Sequence, residues 1–109
     1  MTEHELYLGT KAVLDSPKKW TKFEYARDKD GYEVESDDQS AVCFCLVGAI
    51  NHVAKGKGID GGYRPTALKN VIVGNGFIYI TAFNDADSTT YEDVIRVLDE
   101  AIAATEPAQ

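Results

Sequence analysis

Between Ala41 and Ala54 nearly every side chain is apolar or small, and this stretch limits what the chain can fold into more than any other. A helix built from it has no polar stripe to turn toward water, so it must run through the middle of a domain, covered by other elements. Ser36 followed by Gln39, in a cluster that includes Asp37 and Asp38, is a helix-start pattern, and Gly56 and Gly58 are stop signals. The spacing therefore predicts a helix from Asp38 or Ser40 to Lys55. A buried strand is the rival for part of it, because Val42 and Phe44 favour extended backbone and the fully apolar run from Ala41 to Ile50 is short. As a helix that run rises only about 15 Å, half of a hydrocarbon core about 30 Å thick, so it predicts no membrane span.

The flanking segments supply the cover. Thr2 with Glu5 matches a capping box, and Leu6, Gly9, Thr10, Val13 and Leu14 recur at helical spacing up to Pro17, which predicts a helix over about 3 to 15. Two alternating runs, Phe23 to Arg27 and Tyr32 to Val34, enclose Asp28-Lys29-Asp30-Gly31 and predict a β-hairpin. Lys55 to Arg64 holds four glycines and reads as a mobile loop, and Pro65 suits the opening turn of a short helix over 66 to 72. Phe77 to Thr81, within the segment from Gly74 to Phe83, has strand composition and is expected as a strand, with a buried helix as the alternative that the same residues allow. Thr89 with Glu92 predicts the start of an amphipathic helix over 90 to 104, with Tyr91, Val94, Leu98, Ala101 and Ile102 on one face and Arg96 spaced four from both Glu92 and Glu100 on the other. Residues 106 to 109 should fray. No repeat or linker divides the chain, so 1–109 reads as one α+β domain: a central buried helix, flanking amphipathic helices and a β-hairpin. With 109 residues, 44% of them apolar, the chain has enough material for one core.

Eighteen acidic against eleven basic side chains leave a net charge of -7, which repels nucleic-acid phosphates and anionic lipid. Direct nucleic-acid and membrane binding are disfavoured, while a basic partner would be attracted. Met1-Thr2-Glu3-His4-Glu5 lacks the basic and apolar regions of an export signal. Cys43 and Cys45, one residue apart on a helix, would point about 200° apart and could not bridge each other. Free thiols and a cytoplasmic location follow.

The candidates for chemistry are few. Cys45, Gly48, Ala49 and His52 fall on one helical stripe, but the thiol and the imidazole are about two turns, or roughly 10 Å, apart, too far for direct proton transfer. The small residues are better explained by another helix packing closely there. Zinc is disfavoured because Cys43 and Cys45 lack the two-to-four-residue spacing of a ligand pair on a turn, even with His4 and His52 added. Asn84-Asp85-Ala86-Asp87 is polar enough to act as base or cation ligand, yet such side chains commonly satisfy turn amides and the start of the next helix. Asp28, Asp30 and Glu33 do not complete a calcium loop, and Gly74-x-Gly76 and Gly56-x-Gly58 lack the context of a phosphate loop. No cofactor is implied.

Three stretches together carry a resemblance: Trp20 followed by Tyr25-Ala26-Arg27-Asp28-Lys29-Asp30-Gly31, then Cys45-Leu46-Val47-Gly48-Ala49-Ile50, then Phe83-Asn84-Asp85 before Thr90-Tyr91-Glu92-Asp93-Val94. In order and spacing they resemble a family of small bacterial and phage proteins of unknown function, over residues 20 to 98. Members often carry Trp where Phe83 stands. The resemblance implies a shared small α+β fold and no particular activity.

Two functions are expected to compete. The first is a non-enzymatic interaction or regulatory module with an acidic surface, in which Tyr25, Tyr32 and Tyr63 offer an aromatic patch to a protein partner. The second is a small enzyme or ligand-binding protein with a pocket where Asn84, Asp85, His52, Cys45 and Arg27 converge; the resembled family also carries the Asn84-Asp85 pair. The sequence does not specify an oligomeric state.

Overall fold

The computed structural model describes residues 1–56 and 64–107. Most of the loop expected from Lys55 to Arg64 lies outside the described residues, together with Tyr63, and so do Ala108 and Gln109 of the expected frayed end.

The first helix, α1 (Glu3–Val13), starts at the capping box: Glu5 N–H donates to Thr2 Oγ1 and Thr2 N–H donates to the Glu5 carboxylate. A single 3-10 turn, Pro17–Lys19, follows. The chain then forms β1 (Ala26–Arg27), β2 (Cys43–Phe44), α2 (Leu46–Gly56), α3 (Thr66–Gly74), α4 (Ile80–Asp85) and α5 (Tyr91–Ala104), an α+β architecture. The central helix is α2, bedded on α1 on one side and on α4 and β2 on the other. Leu46, Ala49, Ile50, Val53 and Ala54 of α2 join Leu6, Tyr7, Leu68, Ile72, Val94 and Leu98 in one core.

The apolar stretch divides between the two rival readings, and α2 begins several residues later than the sequence predicts. Val42 N–H donates to Arg27 O, Cys45 N–H to Tyr25 O, and Thr21 N–H to Phe44 O, so residues 42–45 are extended between two neighbouring segments. The Ser36 and Gln39 pattern starts no helix. Instead Asp38 Oδ1 accepts from both the amide and the hydroxyl of Ser40, closing a local turn that keeps the preceding chain out of helix.

The turn at Asp28 to Gly31 folds as expected. Asp28 Oδ1 accepts from the amides of Asp30 and Tyr32, and Gly31 takes φ +86°, where glycine has no Cβ penalty. The ladder differs in its partner: Ala26 and Arg27 pair antiparallel with Phe44 and Cys43, while Tyr32 to Val34 returns as a single bridge from Glu33 to Arg27.

The expected strand at Phe77 to Thr81 is overturned. Gly76 N–H donates to Val73 O and Phe77 N–H to Ile72 O, with Gly76 at φ +92°, a Schellman cap that ends α3. Gly74-x-Gly76 is therefore a helix stop. Among the described residues no strand pairs with this run, and the chain after Tyr79 satisfies its backbone internally as α4.

The start of α5 moves one residue from the Thr89 and Glu92 expectation. Thr90 and Asp93 bond reciprocally, and those bonds hold the Asp93 carboxyl below its usual range, whereas Thr89 is buried. α5 lies antiparallel to α1, with His4 Nδ1 3.2 Å from Ile102 O at one end and Tyr91 O–H donating to Leu14 O at the other. Arg96 pairs with Glu100 at 3.2 Å and with Asp93 at 3.8 Å.

The cap of α3 comes from a distant element. Pro65 offers no side-chain cap, so Ala67 N–H donates to the Glu3 carboxylate and Leu68 N–H to the Tyr7 hydroxyl at 3.1 Å. Tyr7 is fully buried. Tyr7→Phe strands the Leu68 amide and should destabilise the chain by about 1–3 kcal/mol. Urea denaturation measures the loss, and amide exchange should accelerate most at Leu68.

Candidate functional site

The five residues singled out in the sequence are divided between two places, and Asn84 is the hub of the larger group. Asn84 is fully buried in the last turn of α4. Its Oδ1 accepts from Trp20 Nε1 at 2.6 Å and from Leu46 N–H at 3.0 Å; its Nδ2 donates to Thr21 O at 3.1 Å and to Asp85 Oδ1 at 2.9 Å. The carbonyl thus satisfies a free amide at the start of α2, and the amino group ties α4 to the segment before β1. The sequence places Asn84 and Asp85 on a loop serving the next helix. They instead end α4 and serve segments far away in the chain.

Asp85 Oδ1 also accepts from Phe23 N–H at 2.9 Å. Phe23 has φ +74°, a left-handed conformation that costs a bulky residue about 1–2 kcal/mol. Its neighbours hold it there: Lys22 Nζ donates to Ala86 O at 2.6 Å, and Arg27 donates to Thr21 Oγ1, Lys22 O and Gly31 O. Arg27 therefore reaches the Asn84 network through Thr21.

Cys45 sits at the start of α2, where its Sγ accepts from Gly48 N–H at 3.2 Å. The thiol acts as an N-cap acceptor, and burial pushes its pKa up, so it remains protonated and weakly nucleophilic at neutral pH. Cys43 is half-buried, and both cysteines are free. The small-residue stripe is explained by close approach, but to extended backbone and not to a helix: a Cβ on Gly48 would lie 1.8 Å from Tyr25 O.

His52 stands apart from this group. Its Nδ1 is 2.8 Å from Ser36 O, and its ring lies 4.8 Å from that of Phe44. It meets neither Asp85 nor Cys45 in a bond, and His4 is engaged with α5. Among the described residues no three His, Cys, Asp or Glu side chains are grouped to hold a metal, and no helix is long and apolar enough to cross a membrane. The Asn84 network is built as a cross-brace, bonded to the Leu46 amide and the Thr21 carbonyl and to the side chains of Trp20 and Asp85.

A concave apolar surface lies elsewhere. A groove of about 450 Å³ opens between α2, α3 and α4, with Val47, Ile50, Ala54 and Ile80 along it. Its walls include Ile78, Tyr79, Val73 and Tyr25, which are 80%, 68%, 62% and 51% exposed. Of the aromatic patch expected from sequence, Tyr25 belongs to this groove and Tyr32 is exposed without lining it. Ile78 and Tyr79 are not legible as surface residues because the run of β-formers is expected to form a strand or a buried helix. The signal was Gly76, which stops α3 just before the run. A wider trough of about 910 Å³ between α1 and α5 is rimmed by the Lys11–Asp99 and Arg96–Glu100 pairs and by Asp15 and Glu92.

Neither a curated protein nor a solved structure matches the chain. The model of a family of unknown function, DUF6197, matches residues 1–104, wider than the 20 to 98 span of the motifs, and the chain belongs to that family.

Proposed function

We propose that the chain is a non-enzymatic interaction module of the cytoplasm whose α2–α3–α4 groove receives an apolar segment of a partner protein. The observation that carries this reading is the set of large apolar side chains, Val73, Ile78, Tyr79 and Tyr25, held in water around one concavity. Such side chains scattered singly are ordinary, but grouped around a groove they mark a docking surface, and tyrosine is enriched at such surfaces. The net charge of -7 favours partners that are neutral or basic overall and gives their association rate a salt dependence. A reducing compartment suits Cys45, whose sulfur accepts a helix-capping bond as a free thiol.

Selection of displayed random dodecapeptides on the immobilised chain tests the reading. Enriched peptides should share clustered apolar residues and lose binding to Ile78→Ser and Tyr79→Ser. Both side chains are exposed, so these variants should stay within about 0.5 kcal/mol of the parent in stability. Absence of enrichment, or enriched peptides indifferent to both substitutions, would count against the groove.

A further inference from the structure

We infer that the segment the groove receives carries a carboxylate at one end of its apolar stretch, and that Lys69 is the residue that reads it. This rests on the groove being the docking surface. Eighteen acidic side chains occur in the sequence, yet none is among the described lining residues, and Lys69 is the one charged group there. Among the described residues Lys69 makes no ion pair. Asn51, half-buried on α2, also lines the groove, and within the described residues its side-chain amide makes no hydrogen bond. The hydroxyls of Tyr79 and Thr81 complete the polar set.

A groove whose apolar surface is bordered by a cation and an amide donor, with no anion among its described lining residues, is complementary to an apolar chain ending in an acceptor anion. Lys69 is exposed while lining the groove, and a lysine stem can cover apolar surface while its ammonium stays in water, which sets the charge beside an end of the bound segment. The overall field of the chain opposes anionic partners, so Lys69 is a local exception that discriminates between segments of equal apolarity. The occupant is thus a partner protein's short apolar segment with an adjoining carboxylate.

The test is an NMR titration of the isotope-labelled full chain with acetyl-Leu-Val-Leu-Leu, once with a free terminal carboxylate and once as the carboxamide. The carboxylate form should bind about three- to fivefold more tightly, with shifts concentrated at residues 47–54 and 69–81, and the preference should shrink as salt is raised. Lys69→Met keeps most of the stem and should bind both peptides equally, whereas Lys69→Glu should favour the carboxamide. Equal binding of both peptides to the parent chain overturns the role of Lys69 and leaves the groove as a docking site. Failure of both peptides to shift those residues overturns the inference and the docking reading together.

Discussion

Gly48→Ala is expected to destabilise the chain by at least about 3 kcal/mol, a large share of the roughly 5–15 kcal/mol that hold a domain of this size together. The added methyl would meet Tyr25 O at 1.8 Å and the attached carbon at 2.7 Å, so the obstacle is backbone that no rotamer change can move. Relief requires α2 to back away from β1, which strains the Cys45 N–H to Tyr25 O bond and the start of the helix. Gly9→Ala is the control. There the nearest atom is Val53 Cγ1 at 2.9 Å, a side-chain tip that can shift, and alanine recovers about 0.5–1 kcal/mol of helix propensity. Its net change should lie within about 1 kcal/mol of zero. Urea denaturation followed by circular dichroism compares the two, and a Gly48→Ala loss as small as that of Gly9→Ala would contradict the close approach.

Asn84→Ala should cost about 3–5 kcal/mol. It strands Trp20 Nε1, Leu46 N–H and Thr21 O at once and opens a cavity beneath α4. Trp20 is the only tryptophan, so its emission reports the lost bond directly and should change even in native buffer. Asn84→Asp separates the two halves of the network. Its oxygens can still accept from Trp20 and Leu46, but a carboxylate there faces Thr21 O and the Asp85 carboxylate, both acceptors. Burial and that neighbour raise the pKa of the introduced group, so the folded state binds its proton more tightly than the unfolded state. Stability of this variant relative to the parent should therefore recover as the pH falls and be lost as the pH rises through the folded-state value. A variant with no such recovery would place the damage outside the donor side of the network.

How much of this was legible in the sequence differs from residue to residue. Cys45, Gly48 and Ala49 stand out as a stripe of small residues, and close packing follows from their size alone. That the partner is the carbonyl of Tyr25 does not, because nothing near residue 48 names residue 25. Asn84 and Asp85 stand out as polar residues that satisfy free amides. The amides belong to Leu46 and Phe23, so the local inference about their chemistry was right while their placement was not. His52 shares a helical stripe with Cys45, yet its ring is turned to Ser36 and Phe44, a choice made by the loop before β2.

Local interactions explain what the sequence by itself determined: the Thr2 and Glu5 box, the turn at Asp28 to Gly31, the helices over Glu3–Val13 and Tyr91–Ala104, and the burial of the stretch around α2. For the box, the turn and the two helices the donor and the acceptor lie within a few residues, so spacing alone selects the conformation, and the burial around α2 follows from a helix with no polar stripe to turn toward water. Only the tertiary structure decided where the strand of Cys43–Phe44 gives way to helix, that Ile80–Asp85 is helical, and that α3 is capped by Glu3 and Tyr7. Those outcomes depend on whether a backbone amide finds its acceptor on a segment brought close by folding. Strand-forming residues such as Ile78 and Tyr79 become groove walls when no described segment pairs with them.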